Sequence, residues 1–172
     1  MFAPAAAAAR KRGMGLVRVE FSFFDDPAFI ASPPEKQLSL IAGEGRALVE
    51  VLGKGPSVLV GKALGTTIMG AMVGLVDPRT RWVWMTPALK DTGLLERMLA
   101  CAGPSLSLIG SEDGSVDITR SDKYLFLPGI THFEFEGFNH TWNHPSGADE
   151  EARSLAEIGR IFDHWLDGSA AS

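Results

Sequence analysis

The sequence predicts an α/β fold: a three-layer sandwich in which a mostly parallel, doubly wound sheet lies between two layers of helices. Apolar runs of strand length alternate about five times with segments whose apolar residues recur at helical spacing. The runs at 58–60 and 82–85 are continuously apolar, as is typical of strands buried on both faces, and 105–109 is predicted to be a further strand. Polar residues of interest follow the strands, where the sites of such sheets lie.

Length and composition indicate one ordinary globular domain over residues 1–172. The chain is long enough for a substantial core, and no internal repeat divides it. A formal net charge of −5 gives no basic surface for nucleic acid. No apolar run approaches the roughly 20 residues of a membrane span. The single cysteine, Cys101, can form no internal disulfide, so the cytoplasm is the expected compartment.

The elements follow one another in a regular order. The alanine-rich stretch 1–12 predicts a helix, because its positive charges come after the apolar residues and not before them as in a signal peptide. Gly13 ends this helix, and Leu16–Phe21 is predicted to be a first strand. The later predicted elements are a helix from Pro34 to Leu52, a helix at 66–75, a helix capped by Asp91 or Thr92 that runs to Ala100, an edge strand at Thr131–Glu136 and a last helix from Leu155 to Leu166.

The stretch from Val58 to Thr67 has the form of a nucleophile elbow. A short apolar strand runs into Gly61 and Gly65, and this spacing predicts a sharp turn into a helix. In such a turn the glycines flank a residue whose side chain stands clear at the carboxyl end of the sheet. That residue is Ala63, preceded by Lys62, and alanine has no nucleophilic atom.

Two phosphate-binding motifs fit the same stretch poorly. A Walker loop would need a glycine at Pro56 and a hydroxyl at Ala63. The glycines of a dinucleotide fingerprint, Gly53 and Gly55, precede the strand and do not follow it. The sequence therefore predicts no cofactor.

Two later segments complete a pattern that begins with the elbow. Leu108–Asp113 is a strand end that leads to an acid, and Glu134–His140 delivers a histidine before the terminal helix. Elbow, acid and histidine in this order resemble the α/β-hydrolases, in particular small capless enzymes akin to the dienelactone hydrolases, over nearly the whole chain. The resemblance implies hydrolysis of carboxylic esters or lactones, with His140 as the base and Asp113 as its orienting acid.

The sequence also departs from the α/β-hydrolase pattern in two respects. The amide of Leu64 would be one oxyanion-hole donor, but the earlier strand and the loop that carries the second donor would precede this chain. The serine position holds Ala63. An impaired ester or lactone hydrolase is thus the first interpretation, and a non-catalytic protein that binds a ligand or partner in the old pocket is the alternative. An uncovered sheet would also favour self-association.

Other residues carry weaker signals. Asp117 is an alternative acid on the same loop as Asp113. His140 and His144 have a spacing that could bind metal on a helix, but Pro145 indicates a loop, and no metal site is expected. Cys101 at the end of an apolar helix predicts an inert thiol. Lys62 could become a nucleophile if desolvated, although a solvated side chain is expected.

Overall fold

The computed structural model describes residues 2–21, 23, 26–53, 55–89, 93–115 and 129–168. Its elements are α1 (Ala3–Lys11), α2 (Pro27–Ile30), α3 (Pro34–Leu52), β1 (Val58–Lys62), α4 (Leu64–Met72), β2 (Arg81–Met85), α5 (Leu94–Leu99), β3 (Ser105–Glu112), β4 (Ile130–Asn139) and α6 (Ala148–Leu166). None of the helices in these ranges has both the length and the apolar content that a membrane crossing requires.

The four strands form one parallel sheet in the order β1-β2-β3-β4. Parallel neighbours need a crossover connection, and here α4 joins β1 to β2 while α5 joins β2 to β3. The predicted α/β sandwich is therefore confirmed, and the carboxyl ends of all four strands lie at the same edge of the sheet.

Both faces of the sheet are covered by helices. Along β2, Val83 and Met85 point to one face and Trp82 and Trp84 to the other, because successive side chains of a strand alternate. The first face packs on α1 and α6 through a cluster that includes Ala5, Ala8, Leu106, Leu108, Ile158 and Phe162. The second face packs on α3, α4 and α5 through residues such as Leu48, Met69, Met72, Leu94 and Met98. This double burial explains the continuously apolar runs in the sequence.

A group of ion pairs fastens α1 to α6. The Arg12 guanidinium donates to Asp163 Oδ1 and to Asp167 Oδ1, each at 2.6 Å, and to the Asp163 carbonyl oxygen at 2.7 Å. Lys11 Nζ also donates to Asp163, at 3.1 Å. Hydrogen bonds from Arg12 and then Lys11 lower the pKa of Asp163 below its usual range.

The predicted first strand at Leu16–Phe21 is wrong. These residues have no regular secondary structure, and Leu16 and Val17 are 53% and 68% exposed. A strand needs a hydrogen-bonded neighbour, and in the described residues none pairs with this segment, although its sequence alternates as strands do.

Smaller differences concern the ends of elements. The helix after the elbow begins at Leu64 and ends at Met72, β4 is longer than predicted, and the last helix begins at Ala148. The predicted caps Asp91 and Thr92 lie outside the described residues.

Candidate active site

Ala63 alone makes the turn between β1 and α4. Its φ of 50° and ψ of −122° lie in a left-handed region that costs a residue other than glycine about 1–3 kcal/mol. Two backbone hydrogen bonds hold the turn: Ala63 N–H donates to the Met85 carbonyl at 3.0 Å, and the Ala63 carbonyl accepts from Thr66 N–H at 2.9 Å. The strand, strained turn and helix of an elbow are thus all present, with alanine at the apex.

The two elbow glycines have different roles. A Cβ atom on Gly61 would lie 2.5 Å from Met69 Sδ and 2.8 Å from the Gly65 carbonyl oxygen, so only glycine lets β1 approach α4 this closely. A Cβ atom on Gly65 would meet nothing within 4 Å. Leu64 is the first residue of α4, where a backbone N–H has no acceptor within the helix. This is the property expected of an oxyanion-hole donor.

Asp113 and His140 follow the neighbouring strands β3 and β4, and their side chains are in contact. His140 Nδ1 lies 3.0 Å from Asp113 Oδ1 and 3.1 Å from Oδ2. The Asp113 side chain is fully buried, whereas that of His140 is 37% exposed. A neutral imidazole whose Nδ1–H donates to a carboxylate keeps its Nε2 lone pair free to accept a proton. The arrangement is therefore suited to general-base chemistry.

Ser115 contacts both Asp113 and His140, and it was not among the residues predicted from the sequence. Its N–H and its hydroxyl donate to Asp113 Oδ1 at 2.9 and 2.6 Å, and the same hydroxyl oxygen lies 3.0 Å from His140 Nδ1. An aspartate whose side chain accepts from the backbone two residues on is a common turn. The Asp-Gly-Ser sequence was therefore a signal that could have indicated Ser115.

Two glycines allow β3 and β4 to bring these residues together. A Cβ atom on Gly110 would lie 2.1 Å from the Phe138 carbonyl oxygen, and one on Gly137 would lie 2.4 Å from His144 Nε2. The strand register shifts between Gly110 and Glu112, at a bulge that changes the direction of both strand ends. Gly137 N–H donates to Ser111 Oγ at 2.9 Å across this bulge.

Asn139 and Trp142 shape the loop that carries His140. Asn139 Oδ1 accepts from the N–H groups of Thr141 and Asn143, each at 3.0 Å. Trp142 is buried in the left-handed conformation, with φ of 73°, and its indole N–H donates to Ser154 Oγ at 3.1 Å. Its ring packs 5.4 Å from that of Phe138. The loop is therefore tied to both β4 and α6.

Lys62 connects the elbow to the histidine loop. Its ammonium group donates to the His140 carbonyl oxygen at 3.2 Å. Burial lowers the pKa of Lys62, and the negative charge of Asp113 opposes this shift in part. Lys62 is thus half-buried and bonded, and the solvated side chain expected from the sequence is wrong.

The other candidates are not joined to this site. Burial raises the pKa of Cys101 to about 12, which agrees with the expected inert thiol. His144 Nδ1 accepts from Ser146 N–H at 3.0 Å, and within the described ranges no three His, Cys, Asp or Glu side chains gather as a metal site would require. Asp117 lies outside the described residues.

The fold is similar to that of solved α/β-hydrolase structures. A protein of unknown function from Agrobacterium tumefaciens, described as an α/β-hydrolase candidate, aligns with a TM-score of 0.59 and 19% identity, over 96% of this chain and 76% of its own. A CIB-like hydrolase from Thermoplasma acidophilum aligns with a TM-score of 0.55 and 22% identity, over 77% of this chain and 61% of its own. No family model and no curated protein matches the sequence.

At these identities the likeness concerns the fold. The elements, the parallel sheet and the two helix layers are those of an α/β-hydrolase fold.

Proposed function

We propose that this chain holds the active-site framework of a hydrolase of carboxylic esters or lactones, impaired because Ala63 occupies the nucleophile position. The contact between Asp113 and His140, 3.0 Å long and placed after two neighbouring parallel strands, carries the proposal. The bond from Lys62 to the His140 carbonyl supports it, because this bond brings the residue before Ala63 to the histidine loop.

The proposed roles are those of a serine-hydrolase triad. His140 would accept a proton from a hydroxyl at the elbow, while Asp113 fixes the tautomer and stabilises the imidazolium. With a methyl group at position 63 no acyl-enzyme can form. Loss of a triad nucleophile typically leaves only about 10³- to 10⁴-fold acceleration over water, from the oxyanion hole and substrate binding. We expect no measurable ester turnover by the chain as it stands.

The small dienelactone-hydrolase-like branch remains part of this proposal. It is supported by the sequence resemblance. A small ester or lactone is accordingly the proposed ligand.

A second candidate function is favoured by Ala63 itself. A pocket with a base but no nucleophile can hold an ester or lactone without cleaving it, which suits a binding protein. Restoring the nucleophile distinguishes the two candidates, because a framework of catalytic geometry should use a serine at this position and a binding pocket has no reason to do so.

The test uses the chain and its Ala63→Ser and Ala63→Ser/His140→Ala variants. Each is treated with a fluorophosphonate probe, which bonds covalently to an activated serine, and with a nitrophenyl ester. We expect no labelling of the chain, labelling of Ala63→Ser, and a fall of at least about 10³-fold in labelling rate when His140 is also replaced.

Two outcomes would contradict the proposal. Equal labelling of Ala63→Ser with and without His140 would mean that the dyad does not activate position 63. Ester turnover by the unmodified chain that survives His140→Ala would direct attention to Lys62 or Cys101 instead.

A further inference from the structure

An open groove of about 1360 Å³ runs along the free edge of β1. All five residues of β1 line it, and so do residues 14–21, yet no strand pairing joins the two segments. The groove therefore separates β1 from a stretch whose sequence alternates like a strand.

Helices of both layers close the groove on its two sides. Ala5 of α1 and Phe162 of α6, from the first face of the sheet, contribute to its lining, and so do Leu48 of α3 and Met69 of α4, from the second face. Because these helices pack on opposite faces, the groove lies within the layer of the sheet itself. Side chains that enter it would be buried above and below.

The main chain of β1 offers pairing groups to the groove. The Ser57 carbonyl and the Ala63 N–H bond to β2, so the odd-numbered residues between them face β2. Successive residues of a strand direct their backbone groups to opposite sides. The N–H and C=O groups of Val58 and Val60 consequently point into the groove, and in the described ranges no strand pairs with them.

We propose that this groove is a docking site for a single extended strand of a separate polypeptide, about five residues long. Strand pairing with an exposed sheet edge supplies affinity through the main chain. Apolar helices on both sides require apolar side chains on both faces of the incoming strand. The inference rests on the β1 edge and is independent of the proposed function.

The charged residues that line the groove indicate which residues should stand on either side of the apolar core of the partner strand. Arg10, Arg18 and Lys62 line the groove with Glu20, and Arg18 and Glu20 form an ion pair. The lining is thus net positive, which favours acidic residues on either side of the apolar core of the partner. Another copy of this chain is a poorer fit, because its sheet edge would bring its own helix layers against α1 and α3.

The open edge of β1 has a consequence for the isolated chain. Unpaired strand edges and exposed apolar side chains favour association. Because the helix layers of a second copy obstruct pairing of the two sheet edges, self-association through this groove should be weaker than peptide binding, and a docked strand should reverse it.

The test uses a fluorescein-labelled peptide with the core Val-Leu-Val-Ile-Val between paired aspartates. Binding is followed by fluorescence anisotropy, and amide hydrogen exchange of β1 is measured with and without the peptide. We expect saturable binding that slows exchange at Val58 and Val60, with little change at Leu59 and Gly61, which already face β2.

Matched variants sharpen this test. Leu16→Asp places a negative charge in the groove, where it would repel the aspartates of the peptide, and should weaken binding at least fivefold. Val51→Asp, at an exposed position of α3 that does not line the groove, should leave binding unchanged. Val60→Pro removes one N–H that faces the groove and none that faces β2, as edge strands tolerate. The expected loss is about fivefold, the effect of about 1 kcal/mol for one hydrogen bond.

Several results would overturn the inference. These are no binding of the peptide, equal binding of a peptide whose central valine is replaced by proline, exchange protection spread equally over β1, or equal effects of Leu16→Asp and Val51→Asp. A stable dimer that prevents the peptide from binding would assign the groove to a second copy.

Discussion

The two edges of the sheet differ in how firmly they are bonded to the rest of the chain. At the β3–β4 side, the bulge, the Asp113–His140 contact and the loop around Trp142 bond the carboxyl ends of β3 and β4 to each other and to α6. At the β1 side, Val58 and Val60 direct backbone groups into an open groove, and the facing segment leaves Leu16 and Val17 more than half exposed. Bonds within the chain thus hold the acid and the base in place, whereas the β1 edge depends on whatever fills the groove.

The difference shows that the candidate site can be bonded in place while the β1 edge of the sheet is open to the groove. Two backbone bonds and the close approach at Gly61 hold the elbow, which belongs to the β1 side, without help from the groove. Stability should consequently be concentrated on the β2–β3–β4 side, and the following substitutions test this distribution.

The largest effect is expected for Gly110→Ala. Its Cβ atom would lie 2.1 Å from the Phe138 carbonyl oxygen and 2.6 Å from the carbonyl carbon, and backbone atoms cannot move aside as a flexible side chain does. We expect a loss of at least about 4 kcal/mol in the free energy of unfolding, measured with urea. Gly114→Ala, where nothing lies within 4 Å, is the control and should change it by less than about 1 kcal/mol. Similar results for both would refute the close approach of β3 and β4.

A direct comparison of the two edges pairs Leu106→Ala with Val17→Ala. Leu106 is fully buried, so its truncation should cost about 2–5 kcal/mol. Val17 is exposed beside the groove, and its truncation should change stability by no more than about 0.5 kcal/mol. Thermal or urea unfolding of both variants measures this. A large loss for Val17→Ala would mean that the β1 side is as well packed as the other.

His132 on β4 should make the well-packed side sensitive to acid. Burial lowers its pKa from 6.5 to about 4. The unfolded chain then binds more protons than the folded one between these values, so the free energy of unfolding should fall as the pH falls from 6.5 towards 4. The contribution of His132 should be roughly 1–2 kcal/mol, after allowance for partial exposure of the ring.

The measurement compares the chain with His132→Gln at pH 7 and pH 4.5, since other titrating groups are common to both. The chain should lose more stability than the variant over this interval. Parallel losses would show that His132 is not held neutral by burial.

The smallest effect is expected for Lys62→Met, at the junction between the two sides. The substitution removes the bond to the His140 carbonyl but also the cost of burying an ammonium group, so stability at pH 7 should change by less than about 1 kcal/mol. Because the folded-state pKa of Lys62 is lowered, the unfolded chain binds more protons as the pH rises towards 10.5. The chain should therefore gain stability relative to the variant in that window. A relative loss there would contradict the direction of the shift.

The sequence predicted the parts of the fold that local pattern determines. The continuously apolar strands, the elbow and the helices from Pro34 onward have their expected type, with ends that differ by a few residues. Leu16–Phe21 has a strand pattern as good as that of β4, but a strand forms only against a neighbour, and the neighbour is a property of the whole sheet. Periodicity alone could not supply that information.

Prediction of the site had the same limit. The order of elbow, acid and histidine indicated Asp113 and His140, which the structure brings together. Ser115, the Lys62 bond and the strained Trp142 depend on how two loops meet in space, and only the Asp-Gly-Ser turn and the glycines within β3 and β4 left a local signal.

The bonds of Arg12 have a consequence for folding kinetics. They join residues 151 and 155 positions apart in sequence, so α1 can dock on α6 only after most of the chain has been brought together. Contacts of such separation are expected to form late, after the transition state for folding. Arg12→Ala should then accelerate unfolding and leave the folding rate nearly unchanged. The lifetime of the native state would thus be set in part by an ion pair on the surface, far from the carboxyl ends of the strands.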